Sequence, residues 1–144
     1  MINFALLLFA GIGLSLCAVG LIYLVSEEFI PYHSAAIQAD WSELGQNEHG
    51  LILGLIKGLG SGALIAGSAA VYMAVASMRR SPAPYVTLLP LVAVGHSGLL
   101  CYATFFVATS TPGNPPLLPT AGLAGLGVLA TGLLPLTRRR SNES

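Results

Sequence analysis

Two ionisable side chains, Lys57 and His96, interrupt otherwise apolar segments, and five more groups, Glu27, Glu28, Tyr32, His33 and His49, fall at the margins of those segments. An ammonium in hydrocarbon costs at least ~2.5 kcal/mol, so Lys57 is expected to be paired or functional. Counted from His49 it lies ~12 Å along a helix, beyond the full reach of a snorkelling lysine stem. Its expected partner is Glu27 or Glu28. His96 has Ser97, Cys101 and Thr104 nearby in sequence. It suits either a hydrogen bond across helices or a ligand or proton-relay role.

The marginal carboxylates and histidines could line the mouth of a cavity whose floor is Lys57 and His96, or hold a divalent cation. Their spacing matches no established metal motif, and no metal ligand is assigned. A bis-histidine haem needs two facing histidines at one depth, and His49 and His96 differ by several ångströms along their helices. The cofactor is unknown, and no catalytic residue is assigned. The glycines from Gly58 to Gly62 resemble a phosphate loop only superficially, because no strand-to-helix turn surrounds them. Cys17 and Cys101 both lie in apolar runs, either as an unusual interhelical disulfide or as two buried small residues.

The elements that carry these groups are helices made for lipid. With 54% hydrophobic and 8% charged residues, the chain has too little polar surface to cover a soluble globule. Six basic residues balance six acidic ones, which leaves no basic face for nucleic acid. Hydropathy and punctuation predict a single all-α integral membrane domain over 1–144, a four-helix transmembrane bundle with up-down connectivity. Its spans are about 4–25, 49–78, 85–108 and 117–137, with a polar loop over 26–48. The first span is expected to run on until just before Pro31 and to persist in the mature protein, since no basic residue precedes Lys57.

Within the loop, Asp40 and Glu43 have capping-box spacing around Trp41, which predicts a short interfacial helix, and Asn47 is the expected N-cap of the second span. Ser81 to Pro84 and Thr109 to Pro116 read as connections. The second span carries Gly50, Gly54, Gly58 and Gly62 four apart, continued by Ala66 and Ala70. Such a ridge lets a neighbouring helix approach to backbone contact, and Lys57 shares its side. The first span offers two further small faces, Gly11 with Ser15 and Gly13 with Cys17, and the fourth has Gly122, Gly125, Gly127 and Gly132.

All five arginines lie at the 2–3 connection and after the fourth span, whereas the 26–48 loop has five acidic residues and no basic one. The positive-inside rule then places both termini in the cytoplasm and the loop on the periplasmic or extracellular face.

The run Glu28-Phe29-Ile30-Pro31-Tyr32-His33, between a first membrane helix and a glycine-rich second one, resembles a group of small bacterial four-helix integral membrane proteins. The resemblance implies a multi-pass protein of the bacterial inner membrane and directs attention to Tyr32 and His33. For function, the sequence favours a non-enzymatic accessory or oligomeric subunit, packed through the glycine ladder with copies of itself or in a larger membrane complex. The alternative is a membrane site for a quinone, lipid head, metal or proton, built on Lys57, His96 and the acidic and histidine rim.

Overall fold

A computed structural model describes residues 4–79 and 84–141. Among the described residues five α-helices form: α1 (Phe4–Val25), α2 (Pro31–Ile37), α3 (Gln46–Arg79), α4 (Leu89–Ser110) and α5 (Leu117–Ser141). Single 3₁₀ turns occupy Trp41–Glu43 and Pro84–Thr87. The expected connection over 81–83 and the last three residues lie outside the described residues. Four helices are long and apolar enough to cross a membrane.

Several boundaries differ from expectation for local reasons. α1 stops at Val25, well before Pro31, and Ser26 closes its last turn by donating backbone N–H and side-chain Oγ to the Ile22 carbonyl at 3.2 and 2.7 Å. Pro31 instead starts α2, where its fixed φ and missing N–H suit the first helical position. α3 begins at Gln46, so Asn47 lies inside the helix and is not its N-cap. Glu48 Oε2 accepts the Gly45 N–H at 2.7 Å, the reach-back half of a capping box. The Asp40–Glu43 spacing gives only a 3₁₀ turn, closed by the Asp40 N–H on Glu43 Oε2 at 2.9 Å. α4 starts at Leu89 after a 3₁₀ turn, because Pro90 within a continuous helix would clash with the Val86 carbonyl; at Leu89–Pro90 it sits harmlessly in the first turn.

α1 is the central element, and its closest partner is α3. A Cβ on Gly13 would lie 2.8 Å from the Gly67 carbonyl, and one on Gly20 would lie 2.7 Å from that of Gly60. The reciprocal positions are as tight: Gly60 meets Gly20 at 2.9 Å and Gly67 meets Gly13 at 2.5 Å. Only glycine permits this backbone contact. Residue numbers rise along α1 as they fall along α3. The same holds for α3 with α4 and the 3₁₀ turn before it, where Tyr72 meets Tyr85 of that turn and Gly62 meets His96, and for α4 with α5, where Thr104 meets Thr120 and Val94 meets Gly127.

The expected ladder is therefore not the face that α1 uses. Gly60 and Gly67, seven apart, face α1 with Ala63, Ala70 and Ala74 buried among them. At Gly50, Gly54 and Gly58 an added Cβ would meet no atom within 4 Å, and Gly62 has only His96 Cε1 at 3.7 Å. An i+4 ridge winds around a straight helix by about 40° per step, so it starts on an open flank and reaches the core only at Ala70. On α1 the Gly13–Cys17 face is used and Gly11 is open; on α5 Gly127 packs on Val94, while Gly122, Gly125 and Gly132 are open.

The core is small. Leu6, Phe9, Ile12 and Leu16 of α1 pack with Met73, Leu89, Leu100 and Leu134. Only 17% of the apolar stretch of α4, and the same share of α5, is buried within the chain, and leucines such as Leu91, Leu99 and Leu118 stand fully to the outside. Water would not tolerate such a surface, and lipid suits it.

Candidate functional site

The sequence-selected polar groups collect at the acidic-loop end, with the exception of His96. There the chain folds back twice. α2 lies against the α4–α5 turn, where a Cβ on Gly113 would come within 2.8 Å of Ala36 Cβ and 2.9 Å of the Tyr32 carbonyl. Beyond α2 the chain turns at Gln38, a left-handed residue with φ 57°, and runs through the Trp41 turn into α3.

Aromatic rings and histidines fill the space beneath this fold. Phe29 is buried, with its ring centroid 5.0 Å from that of Trp41 and 6.3 Å from that of His33. His33 also packs on Tyr32 at 4.1 Å and edge-on to Tyr23 of α1 at 6.5 Å. The Tyr23 and Tyr32 hydroxyls share a 2.6 Å hydrogen bond. On the other side of Trp41, His49 stacks at 4.1 Å and its Nε2 lies 2.7 Å from the Trp41 carbonyl.

The two histidines play opposite roles. A carbonyl can only accept, so His49 Nε2 donates to Trp41. At His33, Nδ1 accepts the Ile30 N–H at 3.2 Å, while the His33 N–H donates back to the Ile30 carbonyl at 2.8 Å. His33 thus caps α2 from its third position as a glutamate would, and a neutral ring in this role carries its proton on Nε2. Burial lowers the basicity of His33. Burial first, and then the bond to Tyr23, push the Tyr32 hydroxyl well above the ordinary tyrosine range.

Lys57 departs from expectation in both partner and depth. Its Nζ donates to the carbonyls of Leu24 and Ser26 at 2.9 and 3.2 Å, and not to the carboxylates of Glu27 or Glu28, which are exposed in the bend beyond. Those carbonyls are left without intrahelical donors where α1 ends, and the negative end of its dipole favours a cation there. Because Lys57 is level with the end of α1, it stands at the rim of the apolar layer. The distance to Arg79 agrees: the intervening uncharged segment measures ~33 Å as helix, against ~30 Å for a bilayer core. The first turns of α3, which carry His49, Gly50 and Gly54, project past the end of α1.

His96 is elsewhere. It faces Gly62 on α3, about 140° around that helix from Lys57, so the two occupy different flanks. Its Nε2 is buried without a hydrogen-bond partner. Neighbouring polar groups turn away from it: Ser97 donates to the Ala93 and Val94 carbonyls, and Thr104 meets Thr120 of α5 at 2.7 Å. The imagined cavity with Lys57 and His96 as a shared floor is thus divided. Among the described residues, no three His, Cys, Asp or Glu side chains converge as metal ligands. Cys17 and Cys101 are both free, and Cys17 Sγ packs on α3 at 3.9 Å from the Leu64 carbonyl.

Sequence reasoning missed Tyr23, which looked like one more apolar residue near the end of a span, and Phe29 as the buried centre of the cap. The Gly13/Gly20 and Gly60/Gly67 pairs were available as matched seven-residue spacings. No protein-family model, curated protein or solved structure matches the chain.

Proposed function

We propose that this is a multi-pass membrane protein that acts without catalysis, as an accessory or oligomeric subunit recruited through the projecting flank of α3. The carrying observation is the open face formed by Gly50, Gly54 and Gly58, with Leu51 and Leu55 about two-thirds exposed beside it. A ridge this small invites a helix to backbone distance. Lipid alone is a poor cover for leucines that rise past the end of α1 toward the headgroup region, so a protein partner is the better match.

In this reading the bundle is up-down, and the opposed runs of contact pairs between successive long helices support that. The arginine-bearing end is cytoplasmic, with both termini, and loop 26–48 faces the periplasm or exterior of a bacterial inner membrane. The partner is either further copies of the chain or a larger membrane complex. The lipid bilayer is the other obligate neighbour.

Native mass spectrometry after gentle extraction tests the proposal. Gly54→Leu should release the partner while the isolated chain keeps its helical content, and Leu21→Ala, a change on an exposed apolar position of α1, should keep it. A wild-type chain that is monomeric and free of protein partners in its own membrane would sink the reading.

A further inference from the structure

We propose that His33 is an acid-sensitive latch that holds α2 on the α4–α5 turn, and that its protonation lifts α2 about Gln38 while the Trp41–His49 half of the cap remains seated. The inference concerns the cap alone and is independent of what covers α3.

Of the two histidine bonds, only that of His33 depends on an unprotonated acceptor nitrogen. His33 Nδ1 must be unprotonated to accept the Ile30 N–H. A proton there sets donor against donor, removes the cap of α2 and places a charge in a half-buried ring cluster. His49 donates from Nε2 to the Trp41 carbonyl, so that bond needs no unprotonated ring nitrogen as its acceptor. Protonation of His33 therefore loosens the α2 half of the cap and does not act on the Trp41–His49 bond.

The groups around His33 carry no charge that would hold a protonated ring in place. The titratable groups facing His33 are the Tyr23 hydroxyl from α1 and its own neighbour Tyr32, and the remaining ring is Phe29. No carboxylate is among these groups to reward a protonated ring. Glu27 and Glu28 stand exposed in the preceding bend. α2 has only seven residues and no buried residue of its own, so it is held by its cap, by the Tyr23–Tyr32 hydrogen bond and by the Gly113 contact. Gln38, already in the left-handed region, is the natural pivot.

The sign follows from linkage. The closed cap depresses the affinity of His33 for a proton, so the open form binds protons more tightly. Closure is fully favoured above the unperturbed histidine pKa of about 6.5 and weakens as pH falls below it. The closed-to-open ratio should drop by up to about tenfold per pH unit until pH passes the lowered value of the closed form.

The test is amide hydrogen exchange of the full chain in lipid nanodiscs between about pH 8 and pH 5, corrected for intrinsic exchange with a peptide of residues 30–37. The expected result is an acid-dependent loss of protection at 32–37, with protection in the first turns of α3 maintained. His33→Asn keeps a side-chain acceptor but cannot titrate, so its protection should be flat across the range. Flat protection in wild type, or an equal acid-dependent loss in His33→Asn, overturns the proposal. A second measurement covers a variant that fails to fold: NMR titration of the wild-type His33 ring must show proton uptake over the pH range in which protection is lost, and uptake outside that range also overturns it.

Discussion

Replacing one glycine at a time by alanine on the two faces of α3 separates the contact that builds the bundle from the surface left open. At Gly67 the new methyl would lie 2.5 Å from the Gly13 carbonyl and 2.8 Å from both the backbone nitrogen and Sγ of Cys17. Ordinary contact begins near 3.4 Å, so α1 and α3 must part by close to an ångström. Backbone atoms cannot rotate aside, and a gap of that size forfeits a quarter to a half of each dispersion contact along the seam. Overpacking of this kind costs about 1–3 kcal/mol. At Gly54 the methyl meets nothing. Both substitutions gain the same helix propensity, about 1 kcal/mol, so comparing them cancels that term and isolates the packing cost. Reversible unfolding of the monomeric chain in mixed micelles should therefore show Gly67→Ala less stable than Gly54→Ala by about 1–3 kcal/mol. Equal stabilities, or a larger loss at Gly54, would refute the assignment of the α1 face to Gly60 and Gly67.

Two further outcomes follow from the acidic-loop end. Lys57→Met should cost about 1 kcal/mol by uncapping α1, whereas Glu27→Gln with Glu28→Gln should leave stability unchanged in the same unfolding assay; matching losses would restore an ion pair. Tyr32 should keep its proton in the folded chain after an ordinary tyrosine has lost its own, so the stability it contributes is complete below about pH 10 and declines as pH rises further. Tyrosinate absorbance of wild type against Tyr32→Phe reads this directly, and a Tyr32 that ionises in the ordinary range would contradict the half-buried Tyr23–Tyr32 bond.

Most of the architecture is legible in the residues because lipid imposes a length and a polarity on each span. The apolar run of the first span stops at Val25 and the helix stops with it, short of the Pro31 limit, and Pro112 to Pro116 divide the last two spans as their chemistry demands. The site is less legible, for two physical reasons. Rotation about a helix axis is invisible in a ridge of small residues: Gly50, Gly54, Gly58 and Gly62 satisfy the same four-residue spacing whether a neighbour meets them or not. What decides is the matching spacing on the partner, and Gly13 with Gly20 match Gly60 with Gly67. Depth is the second reason. Sequence alone measured Lys57 from the first polar residue of its helix, but α3 has 34 residues against 22 in α1, so its start is not the rim.

That packing register also connects the helix pair to the cap. With Gly20 set against Gly60, α1 expires opposite the residue that can satisfy its last carbonyls, and Lys57 closes it. A helix that ends there leaves the acidic loop short of the top of α3, and the chain has to climb past Lys57 to reach Gln46. Phe29, Tyr32, His33 and Trp41 occupy that climb and bury one another against Tyr23 and His49, which the same register brings to the two sides. A one-turn slip of α3 along α1 would carry Lys57 ~5.4 Å from the carbonyls and shift His49 against the cap by the same distance. The glycine pairs thus set more than the closeness of two helices: they fix the level at which the cap forms.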